Sequence, residues 1–245
     1  MVAKIFRLLP LRMRIALKDS ILYFLYNLYL NFVAKIGRDL FFGQTNEDLE
    51  ILKFVPEKYG KYIDIGSGRP IKDSNTFHFY RKGWRGVLVD PIEDNVRMSR
   101  ILRRKDSSLR MLIGPDSGEI FFWRLEPYGY STTVETVALE CLKNPQIRLK
   151  KKEIIKVAML KDVAFSMSPK DPTILTIDVE GFDLEVLKSN DWNRVMPRVI
   201  CVEELGNLSP SKDSPSEIQL YLESYGYKLK AKTILSSIFV HKSYL

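Results

Sequence analysis

The chain has 245 residues and a formal net charge of +8. Hydrophobic residues make up 45% and charged residues 28%, values near the globular average that exclude disorder throughout the chain. A chain of this length buries roughly 70–75% of its unfolded surface, so its core needs no disulfide or metal for stability. The two cysteines form no CxxC pair, which excludes a disulfide scaffold and a zinc ribbon.

The basic residues concentrate in three clusters, within residues 4–18, 97–105 and 148–156. Such clusters can attract phosphate, anionic lipid or an acidic substrate, and they are also typical of solvated helix faces. No zinc finger, RNP motif or basic region with heptads accompanies them. We therefore predict no nucleic-acid partner, and we assign the second and third clusters to helices and a lysine-rich loop.

Residues 1–42 differ in character from the rest and are predicted to form a helical extension to one domain over residues 43–245. Basic residues precede an apolar, aromatic stretch at 21–34, which is short for a membrane-spanning helix. Asn27 and Asn31 share one face of such a helix. The stretch fits packing on the core, contact with a second copy of the chain, or a membrane surface. No clear signal-peptide cleavage site follows it, so we predict a cytoplasmic protein and leave membrane association open.

Strands and helices alternate from residue 46 onward. The predicted helices cover residues 47–52, 74–82, 94–105, 134–142, 184–189 and 216–225. The predicted strands cover residues 61–65, 86–90, 109–113, 119–124, 154–159, 173–178, 199–203, 227–232 and 238–241. This alternation indicates βαβ units and a mostly parallel sheet, whose strand carboxyl ends share one edge where ligands bind. A Ser-, Pro- and Gly-rich loop at 206–215 is a candidate mobile segment near that edge.

Two of the predicted strands end in residues suited to a nucleoside. Asp64 begins a short motif that includes Gly66, Ser67 and Gly68, where glycines allow a tight turn and close approach to a ligand. The third glycine of a phosphate-binding fingerprint is absent. Asp90 ends the next strand, where a carboxylate binds ribose hydroxyls in nucleotide-binding sheets. Without a phosphate cradle, and with acids that favour a cation, the motif fits S-adenosylmethionine better than NAD.

A further pair of carboxylates, Asp178 and Glu180, leaves the strand predicted at 173–178. They can orient a substrate, act as a general base, or bind a metal together with Glu203 or Glu204. Each can instead cap the following helix or bind loop amides. We predict a direct role in the site for Asp178 and Glu180 and no metal. The two histidines, at positions 78 and 241, are expected to be structural.

Several of these segments resemble the FkbM family of S-adenosylmethionine-dependent methyltransferases. The matching stretches are residues 62–68, 73–76, 82–91, 130–133 and 177–183, with a looser match at 43–48. The resemblance implies a Rossmann-like methyltransferase fold, with a mostly parallel seven-stranded sheet and helices on both faces. It also implies methylation of a hydroxyl on a sugar, glycan or natural product. Residues 1–42 lie outside the resemblance.

The resemblance assigns roles to individual positions. Asp64, Gly66 and Gly68 would line the methionine end of S-adenosylmethionine, Asp90 would hold the ribose, and Asp178 and Glu180 would face the substrate. The positions that we assign to cofactor binding are Asp64, Gly66, Ser67, Gly68, Asn75 and Asp90.

One stretch departs from the family, and two other functions remain open. Residues 69–72 are bulky and basic where such loops are often small and polar. A non-catalytic Rossmann-like module that binds nucleosides or tethers a partner at a membrane is one alternative function. A nicotinamide-dependent oxidoreductase is the other, and the missing third glycine disfavours it.

Overall fold

The computed structural model describes residues 24–25, 28–29, 41–164, 173–204 and 215–245. Almost all of the predicted extension, residues 1–42, lies outside the described residues, as does the predicted loop up to residue 214. No helix within the described ranges combines the length and apolar character needed to cross a membrane.

The helices and strands follow the predicted alternation. The helices are α1 (Glu47–Leu52), α2 (Phe77–Arg81), α3 (Glu93–Leu102), α4 (Glu135–Cys141), α5 (Leu160–Val163), α6 (Asp183–Lys188) and α7 (Glu217–Ser224). The strands are β1 (Lys61–Ile65), β2 (Arg85–Asp90), β3 (Ser107–Arg110), β4 (Leu112–Ile113), β5 (Gly118–Glu126), β6 (Arg148–Ala158), β7 (Thr173–Ile177), β8 (Val199–Glu203), β9 (Tyr227–Lys232) and β10 (Ser236–His241). Short 3-10 turns occupy Tyr128–Tyr130 and Lys242–Tyr244.

The larger sheet has seven strands in the order β3-β2-β1-β7-β8-β10-β9. The pairs from β3 to β8 are parallel, and β10 is antiparallel to both of its neighbours. The chain moves outward from β1 through β2 to β3 and then returns to β7 on the other side of β1. This reversal creates a switch point between β1 and β7, where open α/β sheets bind ligands. The predicted Rossmann-like, mostly parallel seven-stranded sheet is confirmed.

Apolar side chains cover both faces of this sheet. On one face, strand residues such as Ile63 and Leu175 pack with Val186 of α6 and Leu222 of α7. On the other face, the strand residues pack with helices α1 and α2, and Cys201 is the buried thiol that its apolar surroundings predicted. Burial on both sides explains the nearly continuous apolar character of the central strands.

A second sheet, with the order β4-β6-β5, was not predicted. The lysine-rich run, assigned to a loop from the sequence, belongs to β6, which pairs with β5 in antiparallel fashion. Phe122 and Ile155 on the inner face pack against Ile92, whereas Phe121 and Ile154 face outward. Because the outer face is exposed, β6 can carry three consecutive lysines, at positions 150–152, and the run resembles a solvated loop in sequence.

The predicted strand at 109–113 is divided between the two sheets. Ser107–Arg110 pairs with β2, and Leu112–Ile113 pairs with β6 after Met111. The predicted helix at 74–82 begins only at Phe77. The side chains of Ser74 and Thr76, which precede it, accept hydrogen bonds from Arg103.

Candidate functional site

A cavity of about 340 Å³ opens at the carboxyl ends of β1, β2 and β7. Its walls contain most of the residues that the sequence assigned to a site: Gly66, Ser67, Gly68, Asp90, Asp178 and Glu180. Gln44, Tyr128 and Ser131 also line it, together with apolar side chains such as Ile92 and Phe122. Parallel strands that end at a common edge bring these distant segments together. We call this space the inner cavity.

Gly66 allows the loops after β1 and β7 to approach each other closely. Its φ is +75°, and a Cβ atom at this position would lie 1.8 Å from the carbonyl oxygen of Asp178. Its amide donates to the carbonyl of Val89 at 2.9 Å, while the amide of Asp178 donates to Ile65 at 3.0 Å. These bonds extend the sheet hydrogen bonding into both loops. The backbone turn that sequence reasoning assigned to Gly66 therefore needs glycine, both for its φ and for space.

Asp90 lies in the cavity wall and organises the backbone around it. Its carboxylate accepts from the amide of Gly68 at 2.8 Å, the amide of Ile92 at 2.7 Å and Nδ2 of Asn95 at 3.2 Å. Burial raises the pKa of Asp90 to about 7. Nδ2 of Asn95 also lies 3.3 Å from the second oxygen of Asp90, so a ligand hydroxyl would bind this carboxylate in place of one of the two Asn95 contacts.

Four carboxylates, Asp178, Glu180, Asp183 and Glu203, form what we call the acidic edge. Burial, reinforced by the negative charges of Glu203 and Glu180, raises the pKa of Asp178 to about 9. Burial also raises the pKa of Glu203 to about 7 and that of Asp183 to about 6, and it raises the pKa of Glu180.

Contacts within the acidic edge do not neutralise it. Asp178 and Glu203 share a hydrogen bond, which favours a protonated Asp178 that donates to an ionised Glu203. Nε2 of Gln44 lies 3.5 Å from Oδ2 of Asp178. Among the described residues, no basic side chain forms an ion pair with any of the four acids. The edge therefore carries acids, most of them at least half-buried, that a cation would stabilise.

In the turn after β7, the side chain of Asp183 binds the loop backbone, whereas that of Glu180 lines the cavity. Asp183 accepts hydrogen bonds from the amides of Val179 and Gly181 at 3.3 and 3.1 Å, which is the loop-binding role considered for its neighbours. Glu180 has a φ of 56°, in the left-handed region that costs a non-glycine residue roughly 1 kcal/mol or more. Its side chain thereby reaches the cavity wall. Asp183 holds the turn, and Glu180 stays available for a ligand.

Beneath the cavity lies a second group, the Arg103 cluster, which comprises Tyr62, Asp64, Thr76, Arg103 and Asp106. Arg103 is fully buried and donates to Asp106 at 2.8 Å, to the hydroxyl of Tyr62 at 2.9 Å and to Thr76 at 3.0 Å. Asp64 accepts from Thr176 at 2.8 Å and from Thr76 at 2.5 Å. Burial raises the pKa of Asp64, and the charge of Arg103 is the largest opposing influence.

Two residues assigned to the cofactor from the sequence are not brought to the cavity wall. Asp64 directs its carboxylate into the Arg103 cluster, and Asn75 has a buried Oδ1 without a hydrogen-bond partner. Arg69, from the basic loop that departs from the family pattern, does line the cavity, where it pairs with Asp73. That ion pair offsets the positive charge of the loop.

Sequence reasoning missed Arg103, which it grouped with the basic cluster at 97–105 as a solvated helix face. No local pattern marks Arg103, because its partners come from β1, from the segment before α2 and from the turn after α3. Its fully buried position follows from the fold alone.

A wider space adjoins the inner cavity, and we call it the outer groove. Its volume is about 650 Å³, and its walls come from residues 112–120, 129–134 and 179–182 together with α4. Phe122, Gly129, Val179 and Glu180 belong to the walls of both spaces. A ligand in the inner cavity and a second ligand in the outer groove would therefore meet beside Glu180.

Neither histidine lines these spaces. Nδ1 of His241 lies 2.8 Å from Oγ of Ser243, and burial lowers the pKa of His241. Nδ1 of His78 lies 3.6 Å from Oδ2 of Asp48. Among the described residues, no group of three or more His, Cys, Asp or Glu side chains is arranged to hold a metal ion. The acid–base groups at the junction of the two spaces are carboxylates.

The strand order and the cavity at the switch point define an α/β protein that can bind a nucleoside. Residues 64–229 match the family model described as the methyltransferase FkbM domain. The match spans more than half of the chain, so the chain belongs to the FkbM methyltransferase family. It is an S-adenosylmethionine-dependent methyltransferase, as the sequence resemblance predicted.

Solved structures provide more distant comparisons. A TehB-like S-adenosylmethionine-dependent methyltransferase from Corynebacterium glutamicum is similar, with 10% identity and a TM-score of 0.45 over 89% of this chain and 96% of that one. An O-methyltransferase from Bacillus cereus, in complex with S-adenosylhomocysteine, has 13% identity and a TM-score of 0.34 over 93% and 96% of the two chains. No curated protein matches the sequence.

The inner cavity fits S-adenosylmethionine. Its volume of about 340 Å³ lies in the range of small-molecule sites. Asp90 can accept from a ribose hydroxyl in place of one Asn95 contact, and Gly66 keeps the cavity wall free of a side chain. The acidic edge has no ion pair to a basic side chain in the part of the chain that the structure describes, and a sulfonium would stabilise it.

Proposed function

We propose that this protein is an O-methyltransferase that acts on a hydroxyl of a small-molecule or glycan acceptor, with Asp178 or Glu180 accepting the hydroxyl proton. One observation carries the proposal: Glu180 lies in the walls of both the inner cavity and the outer groove. A carboxylate at the junction of a cofactor space and an acceptor space is placed to remove a proton from the attacking atom.

The cofactor, when bound, supplies a methyl group on a positively charged sulfur. The residues of this chain hold and align the reactants, and such alignment can lower a barrier by several kcal/mol. In the proposed arrangement Asp90 binds the ribose, and the backbone of Gly66, Ser67 and Gly68 lines the rest of the cofactor. Asp64, beneath the cavity, holds the carboxyl-terminal end of β1 in place through hydrogen bonds from Thr76 and Thr176.

The reaction is a single displacement whose atoms and charges balance. The acceptor oxygen forms a bond to the methyl carbon while the carbon–sulfur bond breaks and its electron pair goes to sulfur. The hydroxyl proton goes to the carboxylate and then to water. A hydroxyl is a weak nucleophile, and a base whose pKa lies near the working pH assists it most. The raised pKa of Glu180 suits this role. Asp178 can take it only in its ionised form, with the shared proton on Glu203.

Two isosteric variants test the proposal. Asp178→Asn and Glu180→Gln each remove a base, and loss of the active one should lower kcat by roughly 10²–10⁴-fold. The assay is methyl transfer from labelled S-adenosylmethionine to fractionated glycans, lipids and small hydroxylated compounds, with mass spectrometry of the product. Glu185→Gln is the matched control, because Glu185 lies on α6 and pairs with Lys188 at 2.9 Å.

Three outcomes would contradict the proposal. Tight binding of S-adenosylmethionine without methylation of any hydroxylated compound would favour the non-catalytic module. Methylation at nitrogen or carbon would show a different acceptor atom. Full activity in both variants, or an equal loss in Glu185→Gln, would remove the carboxylates at the junction from the mechanism.

A further inference from the structure

The outer groove leaves five large apolar side chains exposed to water along its walls. They are Ile120, Tyr130, Val134, Val137 and Phe182, with exposed fractions between 42% and 49%. Isolated exposed apolar residues are ordinary, whereas several along one concave surface mark a binding site. The groove is therefore expected to bury apolar surface of a ligand.

Apolar side chains line much of the groove beyond its junction with the inner cavity. Ser131 and Glu180 lie in the walls of both spaces, at that junction. Ile120, Val134 and Val137 belong to the outer groove alone, alongside polar residues such as Ser117 and Thr132. A molecule with its hydroxyl beside Glu180 would therefore extend along walls that offer it apolar contacts.

The charged residues of the groove carry one sign. Asp116, Glu119 and Glu180 line it, and no lysine or arginine among the described residues does so. The basic residues of β6 lie elsewhere, with Lys152 over the rings of Phe121 and Trp123. An acceptor with a phosphate or carboxylate on its body would be repelled, and an uncharged one would not.

We propose that the acceptor is an uncharged hydroxyl compound with a sizeable apolar body, such as an alkyl chain or fused rings, which occupies the outer groove. This inference rests on the proposed function and narrows it, because a free sugar would leave the apolar walls in water. The groove volume of about 650 Å³ exceeds that of a single sugar ring and accommodates a body of this kind.

Binding to the protein loaded with S-adenosylhomocysteine tests the inference without need for turnover. The probes are methyl, hexyl and octyl β-glucoside, which share one sugar and differ in chain length, used below their micelle concentrations. Each fully buried methylene tightens binding by about fourfold. We expect octyl glucoside to bind at least about tenfold more tightly than methyl glucoside in titration calorimetry.

A matched pair of variants locates the site. Ile120→Ser removes an apolar wall of the groove and should reduce the gain from the octyl chain by several-fold. Ile154→Ser changes another exposed isoleucine, on the outer face of the same sheet, and should leave the gain unchanged. Cys141 lines the groove and Cys201 is buried, so bound octyl glucoside should slow alkylation of Cys141 by iodoacetamide.

The outcomes separate the inference from the function on which it rests. An affinity that is independent of chain length, or a chain-length gain lost equally in both variants, overturns the inference. A length-dependent affinity confined to the groove supports it. Methyl transfer is then measured with these glucosides and with the hydroxylated compounds of the assay described above. If none of them is methylated, the O-methyltransferase proposal is overturned, whatever the binding result.

Discussion

Two groups of carboxylates lie near the strand ends, and their surroundings differ. In the Arg103 cluster, the buried guanidinium pairs with Asp106, and Asp64 accepts from the hydroxyls of Thr76 and Thr176. In the acidic edge, Asp178 and Glu203 share a hydrogen bond and have no ion pair to a described basic residue, and their pKa values rise to about 9 and about 7. Carboxylates that are paired with a buried cation contribute to the stability of the fold. Carboxylates without a cation instead favour the binding of a positively charged ligand.

The largest expected effect is a loss of folding stability when the cation of the Arg103 cluster is removed. Arg103→Met leaves two buried carboxylates without a counter-charge, and the free energy of unfolding should fall by about 3–5 kcal/mol. Urea denaturation measures it. The neighbouring Arg104→Met is the control, because Arg104 is exposed and its hydrogen bond among the described residues goes to the carbonyl of Ile101. A loss below about 1 kcal/mol in Arg103→Met would show that the cluster adds little to stability.

A smaller effect should follow from a substitution between the loops after β1 and β7 that changes no acid. Gly66→Ala places a methyl group against the carbonyl of Asp178 at a φ of +75°, so the loops after β1 and β7 must separate. We expect affinity for S-adenosylmethionine to fall by at least about tenfold, equivalent to about 1.4 kcal/mol, in calorimetry. Gly118→Ala, where a Cβ meets nothing within 4 Å, should bind normally. Equal affinity in both variants would contradict the assignment of the inner cavity.

The smallest expected effect is the pH dependence of cofactor binding at the acidic edge. Asp178 and Glu203 have raised pKa values and ionise as the pH rises through about 7 to about 9, so a sulfonium should bind more tightly at the higher pH. Affinity for S-adenosylmethionine should therefore rise about severalfold from pH 6 to pH 8, with release of protons. S-adenosylhomocysteine lacks the sulfonium but has the same ribose. Its pH profile therefore reports the effect of ionising Asp90, whose pKa is about 7, without that of the sulfonium. Parallel pH profiles for the two ligands would refute a sulfonium site at the acidic edge.

Most of the large sheet could be predicted because its strands are buried on both faces and end in turn residues. The strands β1 and β8 were predicted at Lys61–Ile65 and Val199–Glu203, with the bounds that the structure has. The small sheet could not, because one face of β6 is open to water and its three consecutive lysines, at positions 150–152, hide the alternation typical of a strand. The start of α2 was placed early because Ser74 and Thr76, typical helix-capping residues, instead bind Arg103.

The site was predictable to the extent that strand ends determine it. Gly66, Asp90, Asp178 and Glu180 reach one cavity because parallel strands end together. The direction of a buried side chain depends on partners from other segments, which is why Asp64 lies beneath the cavity and Asn75 beside it rather than in its wall. The apolar walls of the outer groove come from stretches whose composition alone does not distinguish a groove from ordinary surface.

The exposure of the groove residues has a consequence for how the enzyme can be re-engineered. Ile120, Val134 and Val137 contribute to the groove walls but not to the clusters of buried side chains that form the core. Exposed substitutions usually change stability by no more than about 0.5 kcal/mol. A combinatorial library at these three positions should therefore consist largely of folded proteins, and selection on it can sample acceptor preference while the cofactor half of the molecule stays constant.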